Sequence, residues 1–332
     1  MKHGAGIYKV AKKLECKPQE ILDFSSNINS YYIQIDVKLT HSELSRYGDS
    51  SYKELKKTIA KNYSLKKCQI ALYNGASSAI FELFKQLKNR DVTLYTPLYG
   101  EYEKASQLTN KHITKIKRFK DIYKKPKKDS LVVFVNPSTP DGTFYEIKKL
   151  FSLWRAQNCT VIVDESFLEF ESLPSCRGEL ESFKKLYILQ SFTKFYACAG
   201  VRIGAIFSNK QNIKELTQPL WNLSTYDVKF LTKRLDDKAF KKEAKKAHKK
   251  NKQELMQILQ NSPHFSKVIK SDANFILTKV KKSKKLTSLL LKRKILIREC
   301  GSFDTLSNEW LRFGVKEKRM HKKLKDALNL IS

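Results

Sequence analysis

Short apolar runs recur through much of the chain and most constrain its fold. They lie at residues 92–95, 131–135, 161–163, 186–189 and 203–207. Runs of this length that are rich in β-branched residues are typical of buried strands. Amphipathic helical stretches, such as residues 145–158, separate several of them. Because strands that alternate with helices form parallel sheets, the pattern predicts an α/β fold with a mostly parallel central sheet and helices on both faces.

The character of the chain changes beyond about residue 210. A lysine-rich helical stretch at 229–260 precedes strand-like runs at 275–278 and 295–298, which favours a smaller α+β unit. With 332 residues the chain is long for a single core, so we expect two lobes. We predict an N-terminal arm (1–40) that joins the small domain, a large domain (41–210) and a small C-terminal domain (211–332).

A lysine follows the fourth of these runs in a suggestive setting. The sequence Ser191-Phe192-Thr193-Lys194 comes just after the strand-like residues, and Arg202 lies eight residues beyond Lys194. A lysine placed in this way is an amine nucleophile that can hold an aldehyde cofactor as a Schiff base, while Ser191 and Arg202 bind that cofactor's phosphate. The chain is rich in lysines, most of which must be solvated, so this motif alone identifies no site.

Two carboxylates end the third run, at Asp164 and Glu165. Side chains at strand ends lie at the ligand-binding edge of an α/β sheet. Asp164 is therefore expected to pair with the protonated ring nitrogen of a pyridine cofactor, which keeps the ring an electron sink. For Glu165 we expect a structural role as a cap of the next helix.

Two segments nearer the N-terminus add weaker signals. Residues 73–78, Tyr-Asn-Gly-Ala-Ser-Ser, open an apolar-periodic helix. Small residues at a helix start expose backbone N–H groups, which bind anions. Residues 132–142 run from a strand into a loop rich in proline, which by itself indicates a turn at the same edge of the sheet.

Together these segments resemble the fold-type I pyridoxal-phosphate enzymes of the aspartate aminotransferase superfamily, in particular the group of threonine-phosphate decarboxylases and histidinol-phosphate aminotransferases. The motifs that carry the resemblance are His-Gly-Ala-Gly-Ile at 3–7, Asp-Phe-Ser-Ser-Asn-Ile-Asn at 23–29, Arg-Tyr-Gly-Asp at 46–49, Ser-Phe-Thr-Lys-Phe-Tyr-Ala at 191–197, Ile-Leu-Ile-Arg-Glu-Cys at 295–300 and Leu-Arg-Phe at 311–313. They extend over nearly the whole chain. The resemblance implies that the large domain binds pyridoxal 5′-phosphate.

The resemblance also implies roles for individual residues. Lys194 would form the Schiff base, Asp164 would pair with the ring nitrogen and Tyr99 would stack on the ring, and these are the expected catalytic residues. The other expected cofactor contacts are Ala76, Ser77, Thr139, Phe167, Ser191, Arg202 and, reaching over from a partner subunit, Tyr47. The expected substrate contacts are Arg312 at the carboxylate and His3, Asn29 and Arg298 near a substrate phosphate. No metal is implied.

Several positions depart from the family's pattern. At 139–142 the family's Asn-Pro-Thr-Gly becomes Thr-Pro-Asp-Gly, so Thr139 replaces the asparagine that bonds the cofactor's phenolic oxygen. Ser78 replaces an acid in the phosphate turn. Phe167 replaces the tyrosine of aminotransferases, as it does in the decarboxylases, and this favours decarboxylation. Lys316 stands where the decarboxylases have a second arginine, so it keeps the charge and loses the bidentate geometry.

The activity implied by the resemblance is decarboxylation of an O-phospho-L-amino acid in cobalamin biosynthesis. L-Threonine phosphate would give 1-amino-2-propanol phosphate, and L-serine phosphate would give ethanolamine phosphate. The two substrates differ by one methyl group, worth only ~1–3 kcal/mol in a pocket, so the sequence does not separate them. The alternative is transamination of histidinol phosphate or a similar amine with 2-oxoglutarate. The resemblance further implies a homodimer with shared active sites.

The charge of the chain suggests a second class of function. Lysine and arginine number 65 against 33 acidic residues, a net charge of +32, and a field of this size attracts polyanions such as nucleic acid. The densest patch lies at residues 241–252. Lysine far outnumbers arginine, and no RRM, helix-turn-helix or zinc motif is present. We therefore expect solvated lysines without specific nucleic-acid binding, and a surface that steers phosphate substrates inward.

Other classes fit the sequence less well. Ser-x-x-Lys at 191–194 also occurs in penicillin-binding proteins, but their Lys-Thr-Gly and Ser-Asp-Asn motifs are absent from this chain. No apolar run approaches the ~20 residues that span a membrane, and the N-terminus lacks the apolar stretch of a signal peptide. The six cysteines are scattered without a Cys-x-x-Cys pair, so we expect reduced thiols in a cytoplasmic protein and no zinc site.

Overall fold

A computed structural model describes residues 6–331 of the chain. Its strands are β1 (Leu22–Asp23), β2 (Ile70–Tyr73), β3 (Asp91–Thr96), β4 (His112–Lys117), β5 (Leu131–Val135), β6 (Thr160–Asp164), β7 (Leu186–Ser191), β8 (Gly204–Phe207), β9 (Lys267–Val268), β10 (Phe275–Lys279), β11 (Ile295–Leu296), β12 (Arg298–Glu299) and β13 (Trp310–Gly314). Its α-helices are α1 (Ile7–Lys13), α2 (His41–Ser45), α3 (Lys53–Tyr63), α4 (Gly75–Gln86), α5 (Glu101–Leu108), α6 (Lys148–Ala156), α7 (Lys210–Glu215), α8 (Thr225–Asp236), α9 (Lys238–Gln260), α10 (Ser283–Lys292) and α11 (Lys318–Asn329). Within this part of the chain, no helix combines the length and apolar character needed to cross a membrane.

Seven strands form the central sheet, in the order β2–β8–β7–β6–β5–β3–β4. Strand β8 is antiparallel to both of its neighbours, and the other adjacent pairs are parallel. On β6, Val161 and Val163 pack into the core on one face and Ile162 into the core on the other. Helices α3, α6 and α8 cover the first face, and α4, α5 and α7 cover the second. The predicted α/β fold with a mostly parallel sheet is confirmed.

Two strands of this sheet have no counterpart among the predicted runs. Strand β2 is fully buried but only four residues long. Strand β4 reads His-Ile-Thr-Lys-Ile-Lys and is largely exposed. It lies at the edge of the sheet, where lysines on a short strand discourage pairing with another chain. Because β4 is polar, a search for apolar runs does not find it.

A second sheet, antiparallel and in the order β12–β13–β10–β9, lies in the C-terminal part of the chain. Leucines of α9, α10 and α11 share one core with it. Strand β1 of the N-terminal arm pairs with β11 in parallel, Leu22 opposite Ile295. Helix α8, although it lies beyond residue 210, packs with α3 on the large sheet. The domain boundaries at residues 40 and 210 stay predictions.

Two predicted elements are each divided into two in the structure. The helical stretch predicted at 229–260 is two helices, because Asp237 ends α8 and accepts a hydrogen bond from the backbone nitrogen of Phe240 at 2.8 Å, which starts α9. The strand predicted at 295–298 is interrupted at Ile297, and its halves, β11 and β12, pair in different sheets.

Part of the lysine-rich patch at 241–252 serves the fold itself. Lys241 lies 2.5 Å from a carboxylate oxygen of Glu169. Lys245 donates to the backbone carbonyl of Glu171 at 3.1 Å, and Lys252 forms an ion pair with the Glu171 side chain. These lysines therefore connect α9 to the loop after β6 instead of forming a free basic surface.

The topology places five segments at one edge of the large sheet. Parallel strands present their carboxyl ends together, which is where ligands bind in such sheets. Gly75 follows β2, Tyr99 follows β3, Thr139 follows β5, Asp164 ends β6, and Lys194 follows β7. Residues far apart in the sequence are thereby brought to one place.

Candidate active site

A cavity of about 390 Å³ opens at this edge of the large sheet. The predicted site residues that line it are Ala76, Ser77, Tyr99, Thr139, Asp164, Phe167, Ser191, Lys194, Arg202, Arg298 and Arg312. The first nine come from the large sheet and its loops, and the two last come from the smaller sheet. A wider groove of about 640 Å³, between α9 and α11, contains none of the predicted residues.

Lys194 is partly buried in the turn after β7. Burial lowers its pKa below the usual lysine value, and the charges of Arg202 and Arg312 add to this effect, while Asp164 opposes it. Its Nζ atom lies 5.1 Å from the centre of the Phe167 ring. A lowered pKa increases the fraction of neutral amine, which is the nucleophilic form, so Lys194 is suited to Schiff-base formation.

Asp164 is buried at the end of β6, with both carboxylate oxygens held. Oδ1 accepts a hydrogen bond from the backbone nitrogen of Ser166 at 2.9 Å, and Oδ2 accepts one from the hydroxyl of Tyr102 at 2.8 Å. Burial raises the pKa of Tyr102 well above its usual value, so its hydroxyl keeps its proton and remains a donor. The result is an oriented carboxylate with lone pairs left to face a cationic ring nitrogen.

Tyr99 lines the cavity and lies three residues before Tyr102, just ahead of α5. Its hydroxyl lies 3.5 Å from Oγ of Ser77, and its ring meets that of Tyr102 edge to face, with centroids 6.4 Å apart. Both neighbours restrict the Tyr99 ring, which gives it a fixed orientation for stacking on a planar ligand.

An anion cradle lies at the N-terminus of α4. Gly75 has φ +80°, and a Cβ there would come within 2.7 Å of Nη2 of Arg202. A Cβ at Gly204 would collide with the backbone nitrogen of Ala76. The two glycines thus let a guanidinium and the first N–H groups of a 12-residue helix approach each other closely. Such an arrangement binds phosphate.

Two arginines lie side by side on adjacent strands of the smaller sheet. Arg298 on β12 and Arg312 on β13 are directly opposite in register. Their guanidinium carbons lie 5.3 and 6.0 Å from the centre of the Phe303 ring. Burial lowers the pKa of Arg312 to about 10, and the charge of Arg298 contributes to this shift. Guanidinium groups bind carboxylate and phosphate, so a pair of arginines at the cavity can bind anions.

Thr139 has a partner that the sequence did not indicate. Its hydroxyl accepts a hydrogen bond from Nη1 of Arg312 at 2.9 Å. The prediction gave Thr139 the asparagine's contact with the cofactor's phenolic oxygen. A hydroxyl that accepts one hydrogen bond still has its own proton to donate. Thr139 therefore links Arg312 to the loop after β5 and keeps a hydroxyl proton to donate.

Asn29, a predicted substrate contact, is held by backbone groups next to Lys194. It is buried but does not line the cavity. Its Nδ2 donates to the carbonyl of Phe195 at 2.9 Å, its Oδ1 accepts from the nitrogen of Tyr31, and its own nitrogen donates to the carbonyl of Lys194. With both ends of the amide used by backbone groups, Asn29 supports the turn that carries Lys194.

Tyr47, a further predicted contact, is not among the residues that line the cavity. Tyr47 is 82% exposed, and its ring packs on that of Trp221 with centroids 4.7 Å apart. His3 lies outside the described residues.

Glu165, for which a cap was expected, accepts hydrogen bonds from Oγ of Ser175 and from the nitrogen of Cys176, the first residue of a short 3-10 helix.

Sequence reasoning missed some residues of the site. Phe303 and the segment Ser25–Ile28 line the cavity, and Tyr102 holds Asp164. The spacing of Tyr102, three residues after Tyr99 at a helix start, was a usable signal. Phe303 lies in an irregular loop between β12 and β13, where no periodicity points to it.

The residues present fit pyridoxal 5′-phosphate. The cradle at Gly75 and Arg202 suits its phosphate, the oriented Asp164 suits its ring nitrogen, and the Lys194 amine, whose pKa is lowered, suits its aldehyde.

Comparisons with known proteins agree with this geometry. The family model "Aminotransferase class I and II" matches residues 6–329. The chain is 30% identical to the adenosylcobalamin biosynthesis bifunctional protein CobDQ of Leptospira interrogans over 99% of this chain, which corresponds to only 41% of the length of that relative. It is 25% identical to the threonine-phosphate decarboxylase of Salmonella typhimurium, over 98% of this chain and 95% of that one.

Among solved structures, the histidinol-phosphate aminotransferase of Clostridium acetobutylicum matches with a TM-score of 0.82 and 28% identity, covering 93% of this chain and 98% of that one. The chain therefore belongs to the class I and II aminotransferase family, and it is a pyridoxal-phosphate-dependent enzyme.

Proposed function

We propose that the enzyme decarboxylates an O-phospho-L-amino acid, with L-threonine phosphate as first choice and L-serine phosphate as second. The observation that carries the proposal is the cross-strand pair Arg298 and Arg312, which lines the same cavity as Lys194. These substrates carry one carboxylate and one phosphate, and arginine binds both groups in bidentate fashion. Two anions on one small molecule thus match two guanidiniums on one face of the cavity.

The side chains of the site suggest how the carboxylate is released. Pyridoxal phosphate, when bound, supplies an aldehyde for the substrate amine and a ring that withdraws electrons from Cα. Arg312 would bind the carboxylate and fix the orientation of its bond to Cα, and Arg298 at the phosphate would supply binding energy remote from that bond. As CO₂ leaves, Cα needs a proton. Nζ of Lys194 lies in the same cavity and is the proposed donor.

Two findings support decarboxylation over transamination. Nζ of Lys194 faces the Phe167 ring, a position with no hydroxyl to bond the cofactor's phenolic oxygen. The relatives from Leptospira and Salmonella carry names that refer to adenosylcobalamin biosynthesis and to threonine-phosphate decarboxylase. We place the reaction in cobamide biosynthesis on this basis.

Transamination of histidinol phosphate or a similar amine is the second candidate. It is supported by the likeness to the Clostridium aminotransferase and by a relative of that name in Flavobacterium psychrophilum. An arginine pair also suits the two carboxylates of a glutamate co-substrate. The two candidates differ in their need for a keto acid.

A homodimer with shared active sites is part of the proposal. Large apolar side chains are exposed near Tyr47: Trp221 packs against it at 47% exposure, and Leu44 and Leu220 are more exposed still. A patch of this kind suggests a contact between subunits. Tyr47 would then reach the cofactor phosphate of the partner. Light scattering during size-exclusion chromatography should give twice the chain mass of 38.6 kDa, and elution at the monomer mass would reject the dimer.

A cytoplasmic location is proposed as well. The six cysteines are unpaired, and four of them, Cys159, Cys176, Cys198 and Cys300, are buried. Unpaired thiols are typical of reducing compartments.

The reaction is tested with purified holoenzyme and L-threonine phosphate, followed by ¹H and ³¹P NMR with and without 2-oxoglutarate. We expect 1-amino-2-propanol phosphate to accumulate over many turnovers without the keto acid. L-Serine phosphate and histidinol phosphate are run in parallel to rank the substrates. Turnover that appears only with 2-oxoglutarate and histidinol phosphate would favour the aminotransferase.

A further inference from the structure

Arg118 and Asp141 form an ion pair that is buried close to the cavity but does not line it. Their side chains are 2% and 4% exposed. Arg118 directly follows β4, and Asp141 lies in the loop after β5, two residues beyond Thr139. Asp141 is also the position at which the family's Asn-Pro-Thr-Gly pattern has threonine. The chain therefore introduces a charge here, and the opposite charge comes from the end of β4, which β3 separates from β5 in the sheet.

The Arg118 guanidinium connects two segments that reach the site. Nη1 donates to the carbonyls of Tyr95, at 3.4 Å, and of Pro97, which lies two residues before Tyr99. Nη2 donates to the carbonyl of Thr139 at 3.3 Å and to the Asp141 carboxylate. A planar guanidinium holds its donors in a rigid fork, so it fixes the loop after β5 relative to the end of β3.

Asp141 also stabilises this loop through hydrogen bonds to residues close to it in the sequence. Its Oδ2 accepts hydrogen bonds from Oγ of Ser138 at 2.7 Å and from the hydroxyl of Tyr145 at 3.4 Å. Thr139 is thus restrained at its carbonyl by Arg118 and through its neighbour Ser138 by Asp141. The side chain of Thr139 then points its hydroxyl at Nη1 of Arg312, 2.9 Å away.

We propose that Arg118 and Asp141 are positioning residues that hold Thr139 in place, and through Thr139 orient Arg312 toward the carboxylate of the substrate. The proposal rests on the role of Arg312 in the proposed function. Arg312 itself comes from the smaller sheet, and its Nε is buried without a hydrogen-bond partner. The Thr139 hydroxyl is a contact that ties this arginine to the large sheet.

The test compares two ligands that differ only in the carboxylate. L-Threonine phosphate carries it, and 1-amino-2-propanol phosphate lacks it. The double variant Arg118→Met with Asp141→Asn removes both charges together, because removing one alone leaves an unpaired buried charge that threatens folding. In holoenzyme, we expect KM for L-threonine phosphate to rise about 10-fold or more while the inhibition constant of aminopropanol phosphate stays within about twofold.

A matched control removes another ion pair that joins a loop to a neighbouring element. Lys252→Met with Glu171→Gln separates α9 from the loop after β6 and touches no cavity residue. It should lower stability without changing the preference between the two ligands. Equal weakening of both ligands in the Arg118 and Asp141 variant, or no weakening of either, would overturn the proposal.

Two single variants keep the test decisive if the double variant does not fold. Thr139→Val removes the hydroxyl that meets Arg312 and should reproduce the carboxylate-selective loss, whereas Thr139→Ser keeps the hydroxyl and should restore affinity. A Thr139→Val enzyme with normal KM would refute the link. If the wild-type enzyme proves to be a transaminase, the test compares L-glutamate with 4-aminobutyrate, which lacks the α-carboxylate. The positioning role of Arg118 and Asp141 is then tested even though the decarboxylase assignment has failed.

Discussion

Replacing Tyr102 by phenylalanine isolates one hydrogen bond of the cofactor site. The Tyr102 side chain is fully buried, and its hydroxyl donates to Oδ2 of Asp164 at 2.8 Å. The substitution removes a single oxygen atom. The ring keeps its contacts with Phe84 and Tyr99, so no cavity forms in the core.

The size of the effect follows from the charge on Asp164. Hydrogen bonds to charged groups contribute roughly 1.5–3 kcal/mol, and neutral ones about 0.5–1.5 kcal/mol. Asp164 keeps its bond from Ser166, so Tyr102→Phe should lower the free energy of unfolding of the apoprotein by about 1.5–3 kcal/mol. Tyr95→Phe is the matched control. It removes a bond from Trp154 to a neutral hydroxyl and should cost about 0.5–1.5 kcal/mol.

Urea unfolding of both apoproteins, followed by circular dichroism, measures this difference. Cofactor affinity, measured by absorbance, should fall in the Tyr102 variant, because Asp164 is less firmly oriented, and should not change in the Tyr95 variant. If Tyr102→Phe unfolds at the wild-type urea concentration, or costs less than the Tyr95 control, the hydrogen bond to Asp164 does not have the role assigned to it.

Three further predictions concern attachment of the cofactor, its phosphate cradle and a buried charge. Lys194→Ala should abolish turnover and leave no cofactor attached after borohydride reduction, which mass spectrometry detects; residual attachment would point to another lysine. Gly204→Ala places a Cβ against the nitrogen of Ala76 and should weaken cofactor binding about 10-fold or more. In the control Gly200→Ala the new Cβ meets nothing within 4 Å, so cofactor affinity should not change. Equal cofactor affinities of the two variants would contradict the proposed phosphate cradle. Burial lowers the pKa of Lys316 to about 8, so the folded protein binds fewer protons than the unfolded chain between pH 8 and 10.5, and its stability rises with pH across that window. Lys316→Met should flatten this rise, measured as the urea midpoint at each pH. An unchanged dependence of the midpoint on pH would show that Lys316 is not its cause.

The edge of the large sheet could be predicted because its signals are local. Asp164 ends an apolar run and Lys194 follows another, and parallel strands bring such ends together. The residues that the structure adds, Tyr102 and Phe303, act through contacts between segments. Their types are common in any core, and only the packing shows what they touch.

The loop after β5 illustrates the limit of reading motifs. The sequence showed that Thr139 departs from the family's asparagine, but it did not show that the hydroxyl meets Arg312, which is 173 residues away. Nor did it pair Asp141 with Arg118, because Arg118 looked like one more basic residue in a chain that has 65 of them. Burial separates this arginine from the rest, and burial depends on the fold.

The helix break at Asp237 has a different cause. The lysine-rich stretch at 229–260 was predicted as a helical region, with no boundary indicated inside it. A side-chain cap at a single aspartate starts a new helix there.

The central claim, that the enzyme removes the carboxylate and keeps the amine, is tested most directly by following both atoms at once. Holoenzyme is given L-threonine phosphate labelled with ¹³C at the carboxyl carbon and with ¹⁵N at the amine, together with 2-oxoglutarate. We predict that ¹³C appears as CO₂ and bicarbonate while ¹⁵N stays on the phosphorylated product. Transfer of ¹⁵N to glutamate with ¹³C retained in a keto acid would contradict the account and establish a transaminase.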